Sequence, residues 1–425
     1  MARESTLRFG AQTDEMTSLL RIVNMVRTGD AATRPEIGRV TGLGRGVVTQ
    51  RVDHAIEIGY LADGEFGPSS GGRAPRTLRF RGEAGRIVVC ALGALHIHVG
   101  LALLDGDVID QSHSPWDISR GPAETLDKAL SMIDEVLART PDVPVWGIAV
   151  GVPGPVDFES GRPVAPPIMP GWNGFDVRRR FEQRYDAPVW VDNDVNLLTL
   201  GERARRRDDH LDLIYCKIGS GIGAGLLSNG RIHRGANGAA GDIGHVRVRE
   251  SDELCRCGKI GCLEAVAGGW ALIRDALAEI EAGATGALAT AVAQGEELTP
   301  ERVSVAAEDG DALAIRLVQR SARVVGESIA ALVNMFNPSI IVIGGAVAGA
   351  GELLLAEVRQ RVYELSLPLA TRDLTIAQSV NDVREPLRGG VEMVREQLFD
   401  ATFPRWFGDG RPTIGAIRGV LEDVA

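Results

Sequence analysis

The chain has 425 residues, 44% of them hydrophobic and 24% charged, enough to bury the cores of two or three domains. Its net charge of −11 is uneven: residues 1–82 carry 12 arginines against 9 acids, so the remainder carries −14. No run of about 18 apolar residues is present, and no apolar stretch follows the opening MARESTLRFGAQTDE, which argues against a membrane-inserted helix and a secretory leader and makes the cytoplasm the expected compartment.

The basic end reads as a small helical unit. Residues 14–28 place Met16, Leu19, Leu20, Val23 and Val26 at helical spacing, and Gly29 stops the helix. Thr33, Pro35 and Glu36 form the start of a second, short helix through a capping box, with Ile37 and Val40 inward. The tight Thr41–Gly44 turn leads to a third helix over about Arg45–Ile58, with Val48, Val52, Ala55 and Ile56 inward. Two helices joined by a glycine turn are a helix-turn-helix, whose second member lies in the major groove of DNA. Arg45, Thr49, Gln50 and Arg51 fall at or near the exposed first half of that helix, where arginine reads guanine and glutamine reads adenine. The competing reading is a solvated helix face.

Two strand-like pieces, Ala62–Pro68 and Thr77–Phe80, then flank a tip running from Ser69 to Arg76. Its glycines, with Arg73 and Arg76, make an extended cationic finger suited to an A·T-rich minor groove. A glycine-rich interdomain linker would have the same composition, and the two roles are compatible. Residues 1–82 are therefore expected to be a winged helix-turn-helix, all-α apart from its wing, that binds a double-stranded DNA operator.

The acidic remainder alternates strands and helices. Ile87–Leu92, Ile97–Leu104, Val145–Val150, Val189–Val191, Ile214–Ile218 and Ser339–Ile343 read as strands, and Ala123–Ala138 as an amphipathic helix. Several strands end in glycine turns, among them Gly151–Asp157, Gly219–Gly225 and Gly344-Gly345. That pattern predicts an α/β body with its site at strand ends. Five cysteines, three of them within eight residues, argue for a metal or reduced thiols rather than a disulfide framework.

Taken together, GVPGPVD at 151–157, PGW at 170–172, VDNDVN at 191–196, GSGIGAG at 219–225, GDIGH at 241–245, CRCGKIGCLE at 255–264 and NPSIIVIGG at 337–345 resemble the ROK family of repressors and sugar kinases. The resemblance spans about residues 87–400. It implies a two-lobed, actin/hexokinase-like (ribonuclease-H-like) fold over 83–400, with 401–425 as a C-terminal extension. The N-terminal unit and its GGRxP tip resemble the repressor branch, which includes xylose and N-acetylglucosamine repressors.

His245, Cys255, Cys257 and Cys262 offer one imidazole and three thiolates, a closed tetrahedral set for structural Zn²⁺. The resemblance implies the same four ligands. It also implies that Asn193, Asp194, Asp242, His245 and Glu264 hold sugar hydroxyls, with Asp194 in the position of the kinases' catalytic base. Without the other motifs, Asn193-Asp194 would read as a helix N-cap pair. Two positions depart from the family: Asp242 stands where Glu is usual, and Pro167 where Asn is frequent before the PGW run.

The kinases of the family carry an Asp-x-Gly-Gly-Thr-Lys-type turn after the first strand. Here that stretch is Ala91-Leu92-Gly93-Ala94-Leu95-His96, without the acid that would manage magnesium or the hydroxyl that would meet a phosphate. No catalytic residue and no ATP-Mg are therefore expected. The expected protein is a sugar- or sugar-phosphate-responsive repressor of carbohydrate-metabolism genes, acting as a homodimer or homotetramer. The alternatives are a sugar kinase with an appended DNA-binding unit, and a regulator that answers to a protein partner.

Overall fold

The capping residues place the head's helices. In the computed structural model, which describes residues 3–66, 76–206, 211–249, 251–380 and 382–418, α1 (Arg3–Thr28) begins earlier than its apolar spacing indicates. Before α2 (Arg34–Thr41), the Thr33 hydroxyl accepts from the Glu36 N–H at 3.3 Å, and the Glu36 carboxylate accepts from the Ala32 N–H at 2.9 Å. The box thus closes on the residue before the cap. Gly42 ends α2 in the left-handed region (φ 73°). α3 (Arg45–Glu57) buries Val48, Val52 and Ala55 in one cluster with Leu19, Ile22, Val23 and Ile37. Val40, expected inward, is 48% exposed, because the two-turn α2 buries only Ile37. β1 (Leu61–Phe66) and β2 (Arg76–Phe80) pair antiparallel, and the Leu78 N–H reaches the Ala32 carbonyl at 2.7 Å. The result is a winged helix-turn-helix whose tip, including Arg73, lies outside the described residues.

The body contains two sheets of the same design. In the first half come β3 (Arg86–Leu92), β4 (His96–Leu103), β5 (Val108–Pro115), α4 (Pro122–Leu137), β6 (Val145–Val152), the hairpin β7 (Val156–Asp157) and β8 (Arg162–Pro163), α5 (Val177–Tyr185), β9 (Val189–Asn193) and α6 (Asp194–Arg206). The sheet order is β5-β4-β3-β6-β9, an antiparallel meander extended by two parallel strands. The second half has β10 (Leu213–Ile218), β11 (Ile222–Ser228), β12 (Arg231–Ile232), α7 (Leu263–Ala267), α8 (Gly269–Glu281), α9 (Ala287–Ala293), α10 (Pro300–Glu308), α11 (Ala312–Phe336), β13 (Ile340–Gly344), α12 (Glu352–Leu365), α13 (Pro368–Thr371) and β14 (Thr375–Gln378). Its order, β12-β11-β10-β13-β14, repeats the first. Duplicated sheets of this topology are the two lobes anticipated from the sequence.

One glycine run needs correcting. Gly219–Gly225 is not a continuous turn: it turns only at Gly219–Gly221 and then runs as β11. Gly225 sits within that strand because a Cβ there would overlap the Thr199 hydroxyl of α6. Glycine here reflects close helix–strand packing rather than a loop.

α14 (Glu385–Arg395) crosses back from the second lobe and lies on α6. Their backbones touch: a Cβ on Gly389 would overlap the Leu197 carbonyl oxygen, and one on Gly201 the Glu385 carbonyl oxygen. Beside this crossing Glu202, fully buried, faces Glu385, which is 2% exposed. Arg205 and Arg206 hold Glu202, while Ser379 donates to Glu385 at 2.9 Å. Burial and the neighbouring Glu202 push the Glu385 carboxyl up to about 8.

After α14 the chain makes a wide turn at Glu396–Ala401, then α15 (Phe403–Trp406) and α16 (Ile414–Arg418). This segment docks. Tyr60 of the head donates to the Phe407 carbonyl at 3.1 Å, and its ring lies 5.4–6.2 Å from those of Trp146, Phe403, Trp406 and Phe407. On α1, Asn24 donates to the Phe399 carbonyl at 3.2 Å, and the Arg27 guanidinium lies 4.9 Å from the Phe399 ring centroid.

Two outcomes follow from this packing. Because the Glu385 proton is bound more tightly in the folded state, its contribution to stability is full below the ordinary carboxylate range and declines as pH rises toward 8. Glu385→Gln should remove a pH slope approaching about 1.4 kcal/mol per unit in urea titrations between pH 5 and 8, with little change near pH 4.5. Trp406→Ala should cost about 3–5 kcal/mol and release the head to limited proteolysis before the body, as followed by fragment mass.

Candidate functional site

The metal-ligand residues come together on a knuckle built from two glycine turns. Gly258 and Gly261 take left-handed φ of 84° and 75°, folding Cys255–Cys262 back on itself. The backbone closes it through Cys255 N–H to Lys259 at 2.8 Å and Leu263 N–H to Val246 at 2.9 Å, which brings up His245. The ligand atoms of His245, Cys255, Cys257 and Cys262 all lie within 4.8 Å of one another. Cys257 and Cys262 sulfurs are 3.7 Å apart, too far for a disulfide, and Cys255 Sγ is 3.8 Å from His245 Nδ1. Zinc with four such ligands spaces its sulfurs about 3.8 Å apart and sulfur from nitrogen about 3.6 Å. The donor set therefore fits a tetrahedral ion.

Glu264, in the first turn of α7, points one carboxylate oxygen at Cys255 Sγ (3.3 Å) and lies 3.9 Å from His245 Nδ1. Asp242 precedes the short turn Ile243–His245. Burial raises its carboxyl above the ordinary range, His245 opposes this and Glu264 adds to it, so the three groups share one electrostatic environment. The structure thus brings Asp242, His245 and Glu264 together beside the knuckle.

Asn193 and Asp194 sit where β9 passes into α6. Asn193 is already engaged in the fold: its amide donates to the Gly154 carbonyl and its oxygen accepts from the Val195 N–H, both at 2.8 Å. The N-cap-like reading of this residue therefore holds alongside any ligand role. Asp194 is 8% exposed and ion-paired with Lys217 at the end of β10. Lysine occurs three times in the chain, at Lys128, Lys217 and Lys259. A lysine at a strand end among so many arginines was the signal that pointed to Lys217, and sequence reasoning passed over it. Asp192, which the motif also contains, is structural: Arg234 donates to it at 2.9 and 2.7 Å while stacking 3.8 Å from the Phe158 ring centroid.

The first glycine turn is closed. The His96 ring packs into the space a Cβ on Gly93 would occupy, and Leu95 at the tip is 62% exposed. Ala91, at the strand end, offers no oxygen. The second turn is used by the fold: the Gly219 and Ser220 carbonyls accept from the first N–H groups of α8, at 2.9 and 3.0 Å.

On the head, Arg45, Thr49 and Gln50 are exposed on α3, although the Thr49 hydroxyl turns back to the Arg45 carbonyl at 2.9 Å. Gly44 caps α3 without a side-chain acceptor, and its first turn carries no acid. Arg51 departs from expectation: its side chain is 12% exposed and reaches back to Glu15 and Ser18 of α1. One residue past exposed Gln50, a rotation of about 100°, puts it at the helix–helix seam, so it braces α3. Arg76, at the base of the wing, pairs with Asp63 at 3.1 Å and lies 5.8 Å from the Phe66 ring centroid.

Residues 88–397 match the ROK family. The chain belongs to the ROK family. It is 30% identical over 390 residues to a xylose repressor of Caldicellulosiruptor bescii, covering 91% of this chain and 97% of that one. Among solved structures, a ROK family transcriptional regulator described as a homologue of the Escherichia coli Mlc protein superposes with a TM-score of 0.78 at 26% identity, over 91% of this chain and 97% of that one. A ROK family glucokinase from Streptomyces griseus, solved with glucose and AMPPNP, gives 0.62 at 26% identity but covers only 73% of this chain. The relatives that span head and body are thus regulators, and the kinase is a partial match. No helix among the described residues is long and apolar enough to cross a membrane.

The knuckle yields a direct test. Cys257→Ser should release the bound metal and lower the melting temperature by several degrees, with zinc counted by elemental analysis. A variant retaining one zinc per chain at wild-type stability would contradict the assignment of Cys257 as a ligand.

Proposed function

We propose that this ROK protein is a sugar-responsive transcriptional repressor in which the body senses and the head binds DNA. The observation that carries the reading is a winged helix-turn-helix sharing one core with a sugar-kinase-like body whose first phosphate turn is filled by His96. A sugar or sugar phosphate lies between the lobes, held by Asn193, Asp194, Asp242, His245 and Glu264. Lys217 is ion-paired with the Asp194 carboxylate, so one of its oxygens is already engaged within the protein. Zn²⁺ on His245, Cys255, Cys257 and Cys262 is structural: it fixes the loop that carries His245 and Glu264. ATP-Mg is not used.

Arg45, Thr49 and Gln50 face the major groove, and Arg73 and Arg76 supply the wing. The uncapped start of α3 offers backbone N–H groups to a phosphate. A homodimer or homotetramer presents two heads to an operator. Lobe closure on the sugar changes their spacing, provided that the sugar binds the two states with different affinity.

Three measurements test this. A thermal-shift screen of sugars and sugar phosphates should give at least one hit, and no hit would remove the sensor. Turnover of that hit with ATP-Mg should be absent in a coupled assay, and clear turnover would restore the kinase reading. Gln50→Ala should weaken binding to a duplex selected from a random pool by about 1–3 kcal/mol while leaving the sugar shift unchanged.

A further inference from the structure

Three of the chain's seven histidines share one face at the cleft end of the first sheet. His96 and His98 are two apart on β4, so strand alternation puts them on the same side. His113 on β5 is the direct cross-strand partner of His98. The ring centroids are 4.8 Å apart for His96 and His98, 4.3 Å for His98 and His113, and 6.3 Å for His96 and His113.

Three imidazoles around one tetrahedral ion, with metal–nitrogen bonds of about 2.0–2.1 Å, hold their centroids about 5 Å apart. The observed separations bracket that value, with His96 and His113 the widest pair.

We propose that His96, His98 and His113 form a second metal site, separate from the cysteine knuckle, for a divalent transition ion of the Zn²⁺, Ni²⁺ or Cu²⁺ class. An all-imidazole set selects such ions over Mg²⁺ and Ca²⁺, which require oxygen donors. Three ligands leave the fourth position open. Lys217 acts on His96 from the other lobe, and Asp194 balances its charge. The site depends on neither sugar binding nor the knuckle.

The test is a difference in metal count. Full-length protein and His98→Ala/His113→Ala are dialysed to equilibrium against low-micromolar free Zn²⁺ and analysed for metal per chain. The wild type should bind one more zinc than the variant, whether or not the knuckle is filled. Co²⁺ added to wild type carrying a single zinc, in the knuckle, should give a visible spectrum of nitrogen and oxygen ligation without sulfur charge transfer. Should the double variant fail to fold, His113→Gln, at an exposed position, serves instead and should weaken the second zinc at least tenfold. Equal metal counts, or an unchanged second affinity in His113→Gln, would overturn the proposal.

Discussion

The hydroxyl of Tyr60 reaches a carbonyl of the C-terminal segment from inside the head, and much of the molecule's logic depends on that contact. A tyrosine 1% exposed must find a partner for its oxygen, and Phe407 supplies it. Around it Trp146 of the first sheet and Phe403, Trp406 and Phe407 of the tail close into one aromatic cluster. Head and body thus share a core rather than a flexible tether. The tail that makes the joint follows directly from α14, the helix that crosses between the lobes. A change in lobe angle at the α6–α14 crossing therefore has a packed route to the recognition helix.

How much of this could be read beforehand depended on the kind of signal. The head was legible because local chemistry fixes it: Thr33 and Glu36 start α2, Gly42 ends it, and the apolar spacing of α3 gives its buried face. The knuckle was legible because its cysteines are close in sequence. Arg51 was misplaced because helical spacing alone does not say which neighbour lies against a partly buried edge, and Glu15 is 36 residues away. Lys217 was missed because its partner Asp194 lies on another strand end, and the histidine cluster because His113 joins His98 only through sheet register. The tail was legible only as a C-terminal extension, since Trp406 and Phe407 become informative only once Tyr60 is beside them.

On the proposed reading, the body is a kinase-like cleft that serves as a sensor without losing its fold. Glycines that would face phosphates remain where they support packing: Gly225 meets α6, and the Gly219–Gly221 turn starts α8. Positions with purely chemical work have changed. Ala91 has no carboxylate, Leu95 has no hydroxyl, and His96 fills the turn. Around Asp194, by contrast, polar residues persist, and Lys217 pairs with its carboxylate. Sugar recognition and phosphoryl transfer are separable demands on the same strand ends, and the proposed function keeps the first without the second.

If the account is right, sugar and DNA compete through one conformational equilibrium, and linkage makes their coupling reciprocal. The most direct test measures the affinity of the activating sugar by calorimetry for free protein and for protein saturated with its selected operator duplex, beside the operator's affinity with and without sugar. The account predicts that DNA weakens sugar binding by the same factor by which sugar weakens DNA binding. Equal sugar affinity in the free and DNA-bound protein would contradict it.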